Sequence, residues 1–334
     1  MKKIVCFLLL FLSFVLFPFL PVNDKTQVVS LREQSPNTVS PHYPVVVDTY
    51  DAKGVPMQTT FQRAPQRIIV DEVNALETLL ILGQGERIVG AALSTAGVSY
   101  ARLQREYPEE FAKVEPVIQN SIGREQAVAL QPDFILAWKA SFTPRWYGNT
   151  AWWQERGVNT YVIATANHVL KDATVEDECR FIDDMGRIFD RKEQTDALLR
   201  DIRAELRVDE ETMRRREQQT VLIVEVGEGD ILNYDEGWVV GDMVRRLGGR
   251  IPLTSKYIGE EELISCDPDV IFVTYNDAYG KQFAENFFRA VRFNSLRAVQ
   301  NNRIHFVPVE YVYTPAFKLL EGIRAIRRGL YPDE

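Results

Sequence analysis

The chain has 334 residues, 46% of them hydrophobic and 26% charged, with 47 acidic against 39 basic side chains and a formal net charge of −8. That excess of acid argues against nucleic acid as a partner and against an anionic membrane surface. With 3 cysteines, no CxxC pair and 3 histidines, neither a zinc knuckle, a redox pair nor a three-histidine ion site is indicated.

Lys2 and Lys3 precede an almost wholly apolar run over residues 4–20, which reads as a secretory signal. Its length is near the lower limit for a spanning helix, so residues 1–22 are a signal peptide or an uncleaved anchor. No Ala-x-Ala site follows, Pro18 and Pro21 break the pattern, and Cys6 lies inside the run rather than after it, which speaks against a lipid-anchoring cysteine. Residues 23–43 are polar and rich in Ser, Asn and Pro, and read as a flexible tether. The remainder, about 290 residues, exceeds the usual size of one core and implies two domains. Its cysteines, Cys179 and Cys266, read as two buried thiols, because an exported chain of this size folds without a disulfide.

The folded part opens with "YPVVVDTYDAKGVPMQTTF", which alternates, breaks at Lys53-Gly54 and alternates again: a hairpin. Strands over 67–70, 87–92, 133–138 and 160–164 then alternate with helices over 75–83, 124–130 and a segment ending at 157. This gives an α/β lobe over residues 44–174 with a mostly parallel sheet. Residues 175–218 carry no strand signal. In "KEQTDALLRDIRAELRVDEETMRRREQQ" the residues Ala197, Leu198, Ile202, Leu206 and Val208 form one apolar stripe. A helix of about 25 residues there spans roughly 40 Å, enough to join two lobes. The rhythm resumes over 219–334, with strands at 220–226, 269–275 and 303–309, a helix closed by Gly248-Gly249, and a last helix capped by Thr314 with Pro315 at its first position. The fold class is therefore α/β, two lobes of similar plan joined by one long interdomain helix.

A doubled unit supports the two-lobe plan. "EQAVALQPDFIL" from Glu125 and "EELISCDPDVIF" from Glu261 share Glu, six residues, Pro, Asp and an apolar run, so Glu125, Pro132 and Asp133 match Glu261, Pro268 and Asp269 at one constant offset.

The set "PQRIIV", "LETLLILGQGERIVGAA", "GREQAVALQPDFILAW", "GGRIP", "GEEELISCDPDVIFV" and "LRAVQNNRIHFVP" closely resembles the substrate-binding proteins of ABC importers for iron-siderophores, haem and cobalamin. The resemblance covers about residue 43 to 333, and its specificity lies in the order and spacing of the segments. It implies two Rossmann-like lobes held by a rigid helix, a ligand between them, and no cofactor or turnover chemistry. It further implies an exported protein, periplasmic or tethered to the outer face of the cytoplasmic membrane. Its partners would be an ABC permease dimer with its ATPase, and its cargo an iron chelate, haem or a corrinoid. By position, Glu125 and Glu261 match the family's two outer-tip glutamates, which dock onto arginines of the permease. A carboxylate in the first turn of a helix is favoured there and can accept a bidentate pair from Arg.

Ligands of open parallel sheets collect beyond the carboxyl ends of strands. Candidates there are Trp138 and Lys139, Tyr275, Tyr234 and Trp238, and Tyr311 and Tyr313. The step "AWKA" is similar to one in cobalamin-binding members. Aromatic faces suit flat, largely apolar cargo. Trp146, Trp152 and Trp153 lie near the same rim, with one of the last two expected in the core. His42 falls in the tether and His305 inside a strand, which leaves His168 as a secondary candidate for a haem-iron ligand. Two rival classes stand beside this one. A stand-alone carrier or sensor would bind similar cargo without a permease. An exported two-domain α/β hydrolytic enzyme needs a nucleophile, and the sequence singles out none: it has no G-x-S-x-G elbow, nor a phosphate-binding P-loop. "GQGERIVG" follows a helix and enters a strand, the reverse of a dinucleotide fingerprint.

Overall fold

The structure, a computed structural model, describes residues 41–166, 169–208 and 218–332. The apolar leader, nearly all of the tether and His168 lie outside the described residues. Among those described, no helix is long and apolar enough to cross a membrane.

Strands β1 (Val45–Tyr50) and β2 (Pro56–Phe61) form the expected antiparallel hairpin, with Val45 opposite Phe61. Its turn passes through Gly54 at φ 85, a left-handed backbone that a side chain would strain. Val45, Val47 and Thr49 face inward while Val46 and Asp48 face water. The Thr49 hydroxyl accepts from the Val162 N–H at 3.0 Å, and the Asn159 amide donates to the Thr60 carbonyl at 3.1 Å. The hairpin thereby covers the edge of the first sheet, a position otherwise open to pairing with another chain.

That sheet holds β3 (Ile68–Asp71), β4 (Ile88–Ala92), β5 (Ile118–Gln119), β6 (Phe134–Trp138) and β7 (Asn159–Ile163), all parallel, in the order β5-β4-β3-β6-β7. The second holds β8 (Val221–Val226), β9 (Ile231–Asn233), β10 (Tyr257–Ile258), β11 (Val270–Tyr275) and β12 (Ile304–Pro308), in the order β10-β9-β8-β11-β12. Counted along its own sequence, each sheet runs third, second, first, fourth, fifth. Ile68, Ile69 and Val70, like the runs 221–224 and 270–273, are fully buried, as strands covered on both faces must be. The sheets differ in one respect. β9 and β10 are antiparallel, because β8 turns straight back through a short loop closed by Gly227 N–H on Asp230 O and by Gly229 at φ 99. Such a loop is too short for the crossover that a parallel neighbour requires.

In chain order the helices of the first lobe are α1 (Val73–Ile81), α2 (Val98–Glu106), α3 (Pro108–Val114), α4 (Arg124–Ala129) and α5 (Thr150–Gln154). Then come α6 (Val175–Ile188) and α7 (Lys192–Glu205). The second lobe carries α8 (Val239–Arg246), α9 (Glu260–Cys266), α10 (Ala278–Phe288), α11 (Arg297–Gln300) and α12 (Leu319–Leu330). Cys179 on α6 is buried and Cys266 half-buried, and both thiols are free.

The joint departs from expectation. The helix from residue 192 stops at Glu205, and residues 209–217 lie outside the described residues, so no single helix of about 25 residues is seen. The connecting helix is α6, which begins with a capping box between Thr174 and Asp177. From the first lobe it receives the Thr165 hydroxyl on Glu178 and the Tyr161 hydroxyl on Asp184 at 3.0 Å. From the second it receives the Ala316 N–H on Glu178 at 2.7 Å, and Asp242 accepts from its first N–H, that of Val175, at 2.9 Å. α7 lies back against α6, where a Cβ at Gly186 would stand 2.1 Å from the Thr195 hydroxyl, so the two backbones meet at a glycine. A second correction concerns Thr314. It sits at φ 43 and caps no helix. A 3-10 turn over Ala316–Lys318 intervenes, and α12 starts at Leu319. The face of α12 formed by Leu319, Leu320, Ile323, Ile326 and Leu330 is buried as expected.

Glu178 gives the joint a pH dependence. Burial pushes its carboxyl up from 4.5 to about 7 against the hydrogen bonds from Thr165 and Ala316. The folded protein then holds a proton that the unfolded chain has released. Stability from this group is complete below about pH 4.5 and is lost as pH rises through about 7, by at most about 3 kcal/mol. Glu72, raised to about 8, and Asp184, raised to about 6, act in the same direction. Urea midpoints at pH 5 and pH 8 should therefore differ more for the native chain than for Glu178→Gln. Equal differences would show that Glu178 does not titrate in this range.

Candidate functional site

Between the two lobes lies a cleft of about 940 Å³, within the size range of small-molecule sites. It opens at the carboxyl ends of both sheets. Asp71, Ala92 and Trp138 come from the ends of β3, β4 and β6, and Glu225, Tyr275 and Pro308 from the ends of β8, β11 and β12. In each sheet the strand order reverses between the first and fourth strands, β3 and β6 or β8 and β11. Connections leave in opposite directions there, through crossovers from β3 and β6 in the first sheet and through the short loop from β8 and the crossover from β11 in the second, and the backbone parts to make a crevice.

An aromatic series crosses this cleft. The Tyr234 ring lies 5.1 Å from Trp238, Trp238 lies 5.6 Å from Tyr313, and Tyr313 lies 6.2 Å from Trp138. The first three belong to the second lobe and Trp138 to the first, so the series runs from one lobe to the other. Tyr234, 3% exposed, is held by a 2.8 Å hydrogen bond from its hydroxyl to Glu225. Burial and the Glu225 carboxylate together push that hydroxyl far above the ordinary tyrosine range. Trp138 lines the cleft, while its indole N–H is buried without a hydrogen-bond partner among the described residues. Tyr257 and Tyr275 also line the cleft, with the Lys281 ammonium 5.8 Å from the Tyr275 ring.

Lys139 and Tyr311 fall outside the lining. β6 ends one residue earlier than β11 in the repeat, so the position of Tyr275 is occupied in the first lobe by Lys139, already turned into a 3-10 turn and lying beside Gly54 of the hairpin. Tyr311 sits in the turn after β12, on the side of Lys318. Of the other rim aromatics, Trp153 is 2% exposed and donates to the Tyr147 carbonyl at 2.7 Å. Trp152 stacks against Arg156 and Trp146 against Arg145. None of the three lines the cleft. His305 packs 5.5 Å from Phe272, and burial lowers its pKa. Among the described residues, no group of three or more His, Cys, Asp or Glu converges to hold a metal ion.

The charged floor of the cleft gave no sequence signal. Arg102 on α2 meets Glu77 at 2.8 Å, Glu106 at 3.1 Å and, across the cleft, Glu310 at 3.1 Å. Lys318 reaches Glu77 at 3.0 Å and Glu106 at 3.5 Å, while the Tyr107 hydroxyl donates to Glu77 at 2.7 Å. The Asn74 amide donates to the carbonyls of Glu310 and Thr314, both at 3.0 Å. These side chains, drawn from both lobes, pin them together along one edge. Beside them Glu72 caps α1, and burial holds its carboxyl up at about 8.

In each lobe the doubled unit folds in the same way. Gly123 at φ −82, ψ 166 precedes α4, and Gly259 at φ −87, ψ 166 precedes α9. Glu125 and Glu261 then occupy equivalent first-turn positions, both exposed. Glu260 beside it is engaged by Arg292 at 2.9 Å. Each helix ends in a left-handed residue, Gln131 at φ 46 or Asp267 at φ 40. The Pro-Asp step that follows is structural: Asp133 accepts from the Arg67 N–H at 2.8 Å, and Asp269 from the Thr220 N–H at 2.8 Å, each pinning the start of a central strand to its neighbour. The glutamate is the member of the unit left facing water.

The sequence profile of a family described as periplasmic binding protein matches residues 68–311. An uncharacterized ABC transporter substrate-binding lipoprotein of Bacillus subtilis, YvrC, is 22% identical over 309 residues, covering 87% of each chain. The crystal structure of a periplasmic binding protein from Veillonella parvula superimposes with a TM-score of 0.78 at 25% identity, over 87% of this chain and 92% of that one. A structure from Saccharomonospora viridis, titled as an ABC-type Fe3+-hydroxamate transport system, gives 0.63 at 19% identity over 86% and 99%.

Proposed function

The chain belongs to the periplasmic binding protein family, and from that premise we propose that it captures a metal chelate, namely a ferric siderophore, haem or a corrinoid, and delivers it to an ABC permease at the outer face of the cytoplasmic membrane. The observation that carries this reading is the aromatic series shared by both lobes over a cleft of about 940 Å³. Such a lining buries a large, flat, mostly apolar cargo and gains through ring faces rather than through metal-ligating side chains. The cargo meets Tyr234, Trp238 and Tyr313 from one side and Trp138 from the other. α6 and the Arg102 cluster tie both lobes, so closure is a small rotation rather than a wide hinge. Glu125 and Glu261 then present one carboxylate per lobe to arginines of a two-fold permease.

The test is titration of the purified protein with haem, a ferric siderophore and cobalamin, read by visible absorbance after gel filtration. One of the three is expected to co-elute. If none is retained, the reading fails. Trp238→Ala is expected to weaken the retained ligand by about tenfold or more, from the lost ring area, with an unchanged far-UV spectrum. Lys139→Ala and Tyr311→Phe, outside the lining, should leave affinity within about twofold.

A further inference from the structure

Resting on the reading just given, we infer that the cleft selects its cargo by charge, admitting cationic or neutral chelates over anionic ones, with Glu225 as the residue that sets the preference. The argument lies in where each charge sits. Glu225 is half-buried near the end of β8, directly behind the aromatic series. One of its oxygens accepts from the Tyr234 hydroxyl at 2.8 Å and the other from the Asn276 amide at 2.9 Å. Both partners are neutral, and no Lys or Arg pairs with it among the described residues. Asp71, at the end of β3 in the first lobe, lies beside Ser141 and Tyr147, again with no cation paired to it among the described residues.

The basic side chains of the cleft are placed differently. Arg102 is consumed by Glu77, Glu106 and Glu310. Arg105 is 72% exposed and turned to Glu106, Lys281 is 43% exposed and lies between Glu285 at 3.9 Å and the Tyr275 ring at 5.8 Å, and Lys256 lies exposed over Tyr257. Ammonium groups at the solvent rim are hydrated and screened by salt, whereas a carboxylate in the recess acts through a lower dielectric. The faces of Trp138, Trp238 and Tyr313 add negative potential of the same sign. An anionic chelate entering the cleft therefore meets repulsion from the Glu225 carboxylate and the ring faces together, and a cationic one gains from both.

The probes are ferrioxamine B, a cationic ferric trihydroxamate, cyanocobalamin, a neutral corrinoid, ferric enterobactin, a tricatecholate anion, and haemin, which carries two propionates. In calorimetric titration the tightest ligand is expected among the first two, about tenfold or more ahead of both anions. Raising the salt concentration should weaken the cation and strengthen the anions in the unaltered chain. Glu225→Gln keeps hydrogen bonds to Tyr234 and Asn276, since the hydroxyl and the amide can each reverse role, and it should narrow the gap by about tenfold. If an anionic chelate binds tightest, the charge inference falls while the capture of metal chelates stands. A gap that Glu225→Gln leaves untouched removes Glu225 from the account. Retention of none of the four overturns both readings together.

Discussion

Reversing both tip glutamates, Glu125→Arg with Glu261→Arg, is expected to abolish import of the bound ligand by cells, while the purified protein keeps its affinity within about twofold. Both residues stand in the first turn of their helices, exposed and outside the lining of the cleft. Removing one partner of an interfacial charge pair costs about 2–5 kcal/mol, and turning it into a like charge adds repulsion. Two such losses on a two-fold surface leave no productive complex, so import should fall by about a hundredfold or more. Glu260→Gln is the control for register, because Glu260 is already engaged by Arg292, and it should import normally. Import that survives the double reversal would favour a stand-alone carrier or sensor.

The second large effect is expected from Arg102→Met, a change of similar length that removes the charge. Glu77 is 1% exposed and depends on Arg102, Lys318 and Tyr107 for its compensation. Stripping one partner from a buried carboxylate is much more costly than replacing a whole ion pair by apolar groups. Lys318 remains at 3.0 Å, which holds the expected loss to about 3 kcal/mol. Glu310 is freed at the same time, so the lobes lose one tie across the cleft. Small-angle scattering of Arg102→Met should report a wider spread of lobe separations than the native chain. Unchanged urea stability together with unchanged scattering would reduce the cluster to a solvated surface.

Much of the architecture was legible in the sequence because parallel strands buried on both faces leave unmistakable runs such as Ile68–Asp71 and Val270–Tyr275. The doubled unit was legible because both copies obey one local rule, a glycine before a short helix and a left-handed residue before Pro-Asp. The joint was not. Charge periodicity runs unbroken past residue 205, and α7 stops there, where Arg327, 122 residues from Glu205 along the chain, caps the carbonyls of Glu205 and Arg207. Thr314 misled for the same kind of reason: its carbonyl is taken by Asn74 of the other lobe. In the cleft, the rule that ligands meet strand ends points to Trp138 and Tyr275, and it applies equally to Asp71 and Glu225, which a search for aromatic residues passes over. Arg102 and Glu310 come together only through the packing of two lobes, and no local pattern marks either.

The unlike turns of the two sheets bear on how the chain acquires its shape. Neighbouring strands of the first sheet are joined through long crossovers, whereas β8 and β9 close through the short loop at Gly227 and Asp230. Less entropy is surrendered in forming that contact than in closing any crossover of the first sheet, so the second sheet holds one pairing that its sequence can make locally.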